Sequence, residues 1–110
     1  MENLFSYGTL REDGVQRAVF GRGVTGTADA ILGYRLQPVT ITDPAAIAIS
    51  GRAGHTILEP TGDERDRVQG MVLRVTGTEL SLADAYEDAA YKRVQVRLLS
   101  GGEAWVYVRA

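Results

Sequence analysis

The sequence contains no cysteine, which excludes a disulfide, a thiol nucleophile and a thiolate metal site. It has one histidine, His55, so a histidine-rich zinc site is impossible within one chain and a Ser-His triad is disfavoured. No apolar run approaches the roughly 20 residues of a membrane span. Basic residues are not in surplus. The formal net charge is −2, whereas a nucleic-acid-binding surface calls for a strong positive excess. No basic segment precedes an apolar stretch at the N-terminus, so no export signal is expected. Together with the missing cysteine this points to the cytoplasm. The side chains left for polar chemistry are carboxylates, tyrosines, hydroxyls and arginines, with the backbone amides beside them.

What is present is an ordinary globular balance, 45% hydrophobic and 24% charged over 110 residues. That is enough for one domain, residues 1–110, around one modest core. Leu4 to Tyr7 is a short strand-prone run, and Gly8 breaks it. A glycine straight after a strand marks a positive φ or a close backbone approach. Thr9 and Leu10 then lead the chain away from the sheet, which frees their N–H groups to hold a carboxylate or a carbonyl oxygen.

Val15, Ala18 and Val19 have helical spacing, closed by Gly21 and Gly23. From Val24 to Val39 the pattern is strand-like and interrupted at Gly33, which suggests a bulge or sharp bend. Thr40 to Pro44 reads as loop, Ala45 to Ser50 as a short strand, and residues 51–54 as a turn-rich link that leaves His55 in a loop. Thr56 to Glu59 reads as another short strand, and Thr61 to Arg67 as an exposed turn. Val68 to Val75 alternates as a strand should. Ser81-Leu82-Ala83-Asp84 resembles a capping box, with Thr78 as the rival cap, on a helix from about Glu79 to Asp88. Lys92 to Leu99 and Ala104 to Arg109 alternate cleanly, and Ser100 to Glu103 joins them as a hairpin loop.

Two motifs carry a resemblance. Tyr7-Gly8-Thr9-Leu10 stands a few residues from the start, and Asp84-x-x-Glu87 is followed by Tyr91-x-Arg93. In this order and in a chain of this length, the sequence resembles the gamma-glutamylcyclotransferase-like superfamily, of the small single-domain gamma-glutamylamine cyclotransferase type. Trp105 to Val108 is similar to the closing strand of that family. One departure is Asp88, where the family usually has glycine after the glutamate. Residues 43–54 show no match.

The resemblance implies a small mixed α+β domain, with a strongly curved or barrel-like β-sheet of about five to seven strands and two short helices. It also implies a pocket between the turn after the first strand and Glu87. The implied reaction is an intramolecular aminolysis: the α-amine of a gamma-glutamyl group attacks its own side-chain amide, closing 5-oxoproline and releasing an amine. One carboxyl group that reaches both nitrogens serves as base and then acid, and Glu87 is the catalytic candidate. The helix C-terminus and the nearby Asp84 and Asp88 all disfavour a negative charge on it. Tyr7, Gly8, Thr9, Leu10, Tyr91 and Tyr107 are the substrate-binding candidates, with the amides of residues 8–10 as donors. No metal or organic cofactor is required.

Other residues are assigned to the scaffold. Arg93 is expected to pair with Asp84 or Glu87, Tyr34 and Trp105 to pack, and Asp63 to Arg67 to be solvated. Two rival functions use the same fold: a module that binds a small carboxylate-bearing metabolite without turnover, and an interaction protein whose sheet edge mediates a homodimer. The partner expected of the leading reading is a small-molecule substrate, with no nucleic acid or membrane.

Overall fold

The computed structural model describes residues 1–40, 54–87 and 91–109, apart from the side chains of 38–40 and 54–57. The strand expected at Ala45 to Ser50, the loop at 41–44, the link at 51–53 and Asp88 lie outside the described residues.

Among the described residues, seven strands and two α-helices follow one another as β1 (Glu2–Ser6), a 3₁₀ turn (Thr9–Arg11), α1 (Asp13–Phe20), β2 (Gly26–Leu32), β3 (Tyr34–Thr40), β4 (Gly54–Pro60), β5 (Arg67–Val75), α2 (Gly77–Tyr86), β6 (Tyr91–Arg97) and β7 (Glu103–Arg109). Five strands form one mixed sheet in the order β2-β5-β1-β7-β6, and β3 and β4 form a separate antiparallel pair. β1 is antiparallel to β5 but parallel to β7, with Leu4 opposite Trp105. The sheet curves until its edges meet at one end. Ile31 bridges Leu98, Leu99 N–H donates to the Ala30 carbonyl at 2.8 Å, and Asp29 accepts from both the amide and the hydroxyl of Ser100. This is the strongly curved α+β sheet that the sequence resemblance implied. Among the described residues no helix is long and apolar enough to cross a membrane.

Strand alternation sends neighbouring side chains to opposite faces, and here both faces are covered. Phe5, Val72 and Val106 join Ile31, Val96 and Leu98 on one face, where Leu58 of β4 and the half-buried Tyr34 cover them. Leu4, Leu73 and Tyr107 face the helices, meeting Leu80 and Ala83 of α2 and Leu10 of the 3₁₀ turn.

Gly33 makes a corner rather than a bend within one strand. At φ +80 it takes the left-handed conformation that favours glycine. Its N–H donates to the Asp66 carbonyl, and its carbonyl accepts from Thr61 N–H, both at 2.9 Å. The polar 61–67 turn therefore holds the corner at both ends, and the chain leaves the five-stranded sheet there. His55 falls in β4 opposite Val39, not in a loop, because pairing with β3 extends that strand back to Gly54.

The cap of α2 also differs from the sequence reading. Thr76 is the N-cap: its hydroxyl accepts Glu79 N–H at 3.1 Å, and the Glu79 carboxylate accepts Thr76 N–H at 2.9 Å. This reciprocal pair starts the helix two residues earlier than expected and leaves the Ser81 hydroxyl bonded to the Gly77 carbonyl. Arg22 forks onto the nearly buried Glu79 carboxylate at 2.7 and 2.8 Å. The Arg22 bonds, then the Thr76 amide, hold the Glu79 carboxyl down at about 2, from 4.5.

Two predictions follow from the scaffold. A depressed folded-state carboxyl pKa contributes stability that is complete above the unfolded value and lost as pH falls through the folded one. The stability gap between the native protein and Glu79→Gln should therefore be constant above pH about 5 and close as pH approaches 2, read by denaturant titration across that range. At Gly70 of β5, a Cβ would collide with the Ser6 carbonyl oxygen and with the Phe5 ring. Gly70→Ala should cost about 1–3 kcal/mol in urea unfolding, since both obstacles belong to the packed centre of the sheet.

Candidate functional site

β1 ends at Ser6, and its last turn builds one wall of a cavity. Gly8 has φ −130 and ψ −146, so neither a positive φ nor a crowded neighbour explains the glycine. Beyond its chain neighbours a Cβ there would meet no protein atom within 4 Å, and Gly8 lines the cavity. Arg11 then locks the turn: its backbone N–H and its Nε both donate to the Gly8 carbonyl, at 3.2 and 3.1 Å, and Glu12 N–H donates to Thr9 O at 2.9 Å. Thr9 and Leu10 open a helical turn, where N–H groups have no intrahelical acceptor. Among the described residues no backbone oxygen accepts either of them.

α2 supplies the opposite wall. It ends at Tyr86, and Glu87 caps it in an extended conformation, with its N–H on the Ala83 carbonyl at 3.0 Å. The glutamate thus stands just beyond the helix, one residue past the last turn, and is half-buried. Tyr86 OH and Thr9 Oγ1 hydrogen-bond at 2.8 Å across the rim.

All seven residues expected at the site come together. Tyr7, Gly8, Thr9, Leu10, Glu87, Tyr91 and Tyr107 line one cavity of about 160 Å³, with Phe5 and Ser6 at its base. A second, more open concavity of about 360 Å³ adjoins it, lined by Asp84, Lys92, Arg93 and Trp105 as well as Glu87, Tyr91 and Tyr107. Glu87 belongs to both. The second concavity and the roles of Phe5 and Ser6 were not read from the sequence. An alternating period shows which strand face a residue occupies, but not that a wall is shared between two hollows.

A relay of polar contacts holds the walls in register. Tyr7 OH donates to the Tyr107 carbonyl at 3.0 Å, and Tyr107 OH donates to Asp84 Oδ1 at 2.6 Å. Arg93 forks onto Asp84 at 2.9 and 3.0 Å and lies 4.3 Å from the centroid of the Trp105 ring. Trp105 Nε1–H donates to Glu2 at 3.1 Å. Of the two partners expected for Arg93, Asp84 is the one observed. The Arg93 bonds, helped by the Tyr107 hydroxyl, keep the Asp84 carboxyl below its usual range. Its charge is thus balanced locally by Arg93. Trp105 packs as expected, but it also carries Arg93 on its face and lines the second concavity.

The family model described as "Gamma-glutamyl cyclotransferase, AIG2-like" matches residues 4–110. The chain belongs to this family. Among curated proteins it is 33% identical over 100 residues to "AIG2-like protein D" of Arabidopsis thaliana, covering 90% of this chain. The chain spans 57% of the length of that relative. Among solved structures, an Arabidopsis thaliana protein determined in solution superposes with a TM-score of 0.71 at 22% identity, covering 98% of this chain and 68% of that one. A structure titled "Gamma-glutamyl cyclotransferase" superposes with a TM-score of 0.67 at 15% identity, covering 99% of this chain and 66% of that one. At these identities the likeness is one of fold, and it is the AIG2-like cyclotransferase fold derived above.

In this family member Tyr7 and Tyr107 are kept as neutral phenols. Burial, then the neighbouring Tyr91 and Glu87, pushes Tyr7 well above the usual tyrosine range. Burial, then the Asp84 bond, does the same for Tyr107, and Arg93 only partly opposes it. A raised pKa means stability that is present below the unfolded value, about 10 for tyrosine, and lost as pH rises above it. Tyr7→Phe and Tyr107→Phe should therefore subtract nothing from the phenolate absorbance of the folded protein in alkali. Both should also blunt its alkaline unfolding. Loss of phenolate signal in either variant before unfolding would contradict this environment.

Proposed function

We propose that this protein is a cyclotransferase that releases 5-oxoproline and a free amine from a small gamma-glutamyl amine or related amide. The observation that supports it best is the position of Glu87 on the seam of two concavities. The smaller, donor-rich cavity suits the glutamyl end, with its backbone over the open space at Gly8. The more open one suits the departing amine. A carboxylate on the seam reaches the attacking nitrogen from one side and the leaving nitrogen from the other.

In the proposed reaction the α-amine nitrogen attacks the side-chain amide carbon, forming the ring C–N bond as Glu87 accepts a proton from that nitrogen. The carbonyl oxygen becomes an oxyanion near the Thr9 and Leu10 amides, where preorganised donors stabilise developing charge. As the tetrahedral centre collapses, the exocyclic C–N bond breaks and Glu87 returns the proton to the departing nitrogen. The walls contribute by holding amine and carbonyl within reach in a folded conformation, an entropic gain. The end of α2 disfavours a fixed negative charge at Glu87, which suits a group that must carry the proton between two steps.

The test is a panel of gamma-glutamyl amines and amides assayed for 5-oxoproline and released amine. At least one should turn over, and Glu87→Gln should lower its turnover by about 10²-fold or more while still binding substrate, the loss typical of a removed general acid–base. Ligand-dependent thermal stabilisation with no product across the panel would replace the enzyme with a binding module.

A further inference from the structure

The side chain that α1 buries most deeply is polar. Gln16 is 4% exposed, whereas Val15, Val19 and Phe20 are only partly covered. An amide in that position is costly unless both of its ends are paired, and both are. Nε2 donates to the Leu10 carbonyl at 2.9 Å, and Oε1 accepts Val24 N–H at 2.8 Å. Its carboxamide thus bridges the turn after β1 and the segment that leads into β2.

The tethers of that turn differ in strength. The Arg11 and Glu12 bonds are local to it. The bond from Gly8 N–H to Ser6 Oγ is long, at 3.4 Å. Across the rim, Thr9 meets Tyr86 at an exposed position, where water competes for both hydroxyls. The Gln16 bond is the buried tether from outside the turn, and it grips Leu10, which lines the cavity. A leucine or methionine would fill the same space without gripping anything.

We propose that Gln16 is a positioning residue: it does not line the cavity, but it fixes the Thr9–Leu10 amides in the orientation that receives an acidic or carbonyl oxygen. Its effect on ligand rests on the cyclotransferase reading above. Its effect on the turn does not.

The experiment pairs Gln16→Met, which keeps the volume and removes both bonds, with Gln16→Glu, read at mildly alkaline pH. The ionised carboxylate of the second variant still accepts Val24 N–H but cannot donate to Leu10. ¹⁵N relaxation should show order parameters for Thr9 and Leu10 falling from about 0.85 to below about 0.6 in both variants. Hydrogen exchange at Val24 should accelerate only in Gln16→Met. 5-Oxoproline, used as the probe, should bind about tenfold more weakly to both, whereas Glu79→Gln, a destabilised control away from the turn, should bind it as the native protein does. Unchanged order parameters at Thr9 and Leu10 overturn the proposal, as does a mobile turn with unchanged probe affinity. If the native protein binds neither 5-oxoproline nor any gamma-glutamyl amine, the cyclotransferase reading fails, and the order parameters alone decide whether Gln16 holds the turn. If Gln16→Met does not fold, Gln16→Glu decides both points.

Discussion

β1 is hydrogen-bonded on both sides, antiparallel to β5 and parallel to β7, and the second pairing is the one from which the cavity is built. It sets Leu4 opposite Trp105 and so carries Tyr7 to the level of Tyr107, a hundred positions along the chain. With β1 internal to the sheet, the turn at its end has a fixed floor in Phe5 and Ser6 rather than a fraying edge. Antiparallel pairing with β5 then delivers α2 onto the same face, since β5 runs back past β1 and Thr76 caps the helix directly after it. The far end of α2 thereby returns to the Gly8 turn with Glu87 on it.

The polar groups around the cavity have divided tasks. Asp84 and Glu87 sit three apart at the end of one helix, yet Asp84 is engaged by Arg93 and Tyr107, and Glu87 opens into both hollows. One carboxylate fastens helix to sheet, and the other lines both hollows. Tyr7 and Tyr107 bring aromatic surface and uncharged hydroxyls to the smaller hollow. Arg93 is screened by the Trp105 ring on one side and by Asp84 on the other, which places its cationic charge in the wall and not in the cavity.

The two motifs were legible because each is a contiguous stretch whose residues stay together whatever the rest of the chain does. Alternation at Val94, Val96 and Leu98 likewise gave β6 directly, since period-two burial is a local signal. Three features were not legible, for a common reason. The corner at Gly33 looked like a bend because its cause, the bonds to Thr61 and Asp66, lies thirty residues downstream. The cap at Thr76 was passed over in favour of residues 78 and 81, because Glu79 reads as a surface carboxylate until Arg22 is seen beside it. Gln16 is polar and falls outside the apolar positions 15, 18 and 19 that marked the helix, although its amide is the helix's most deeply buried side chain. At Gly8 the positive φ that the sequence allowed is absent, and the residue borders the open space of the cavity.

The bridge between Ile31 and Leu98, with Asp29 gripping Ser100, has a consequence for how this molecule behaves among copies of itself. An open sheet exposes two rows of unpaired amides and carbonyls, each a template for an incoming strand and a nucleus for fibre growth. Where β2 and the end of β6 reach each other, those rows satisfy one another. Along the rest of β6, Lys92 sets a positive charge on the remaining border, and Arg97 pairs with Glu64. Curvature that shapes the hollow therefore also blunts self-templating at the margins, so colloidal safety and the recess come from the same twist of the backbone.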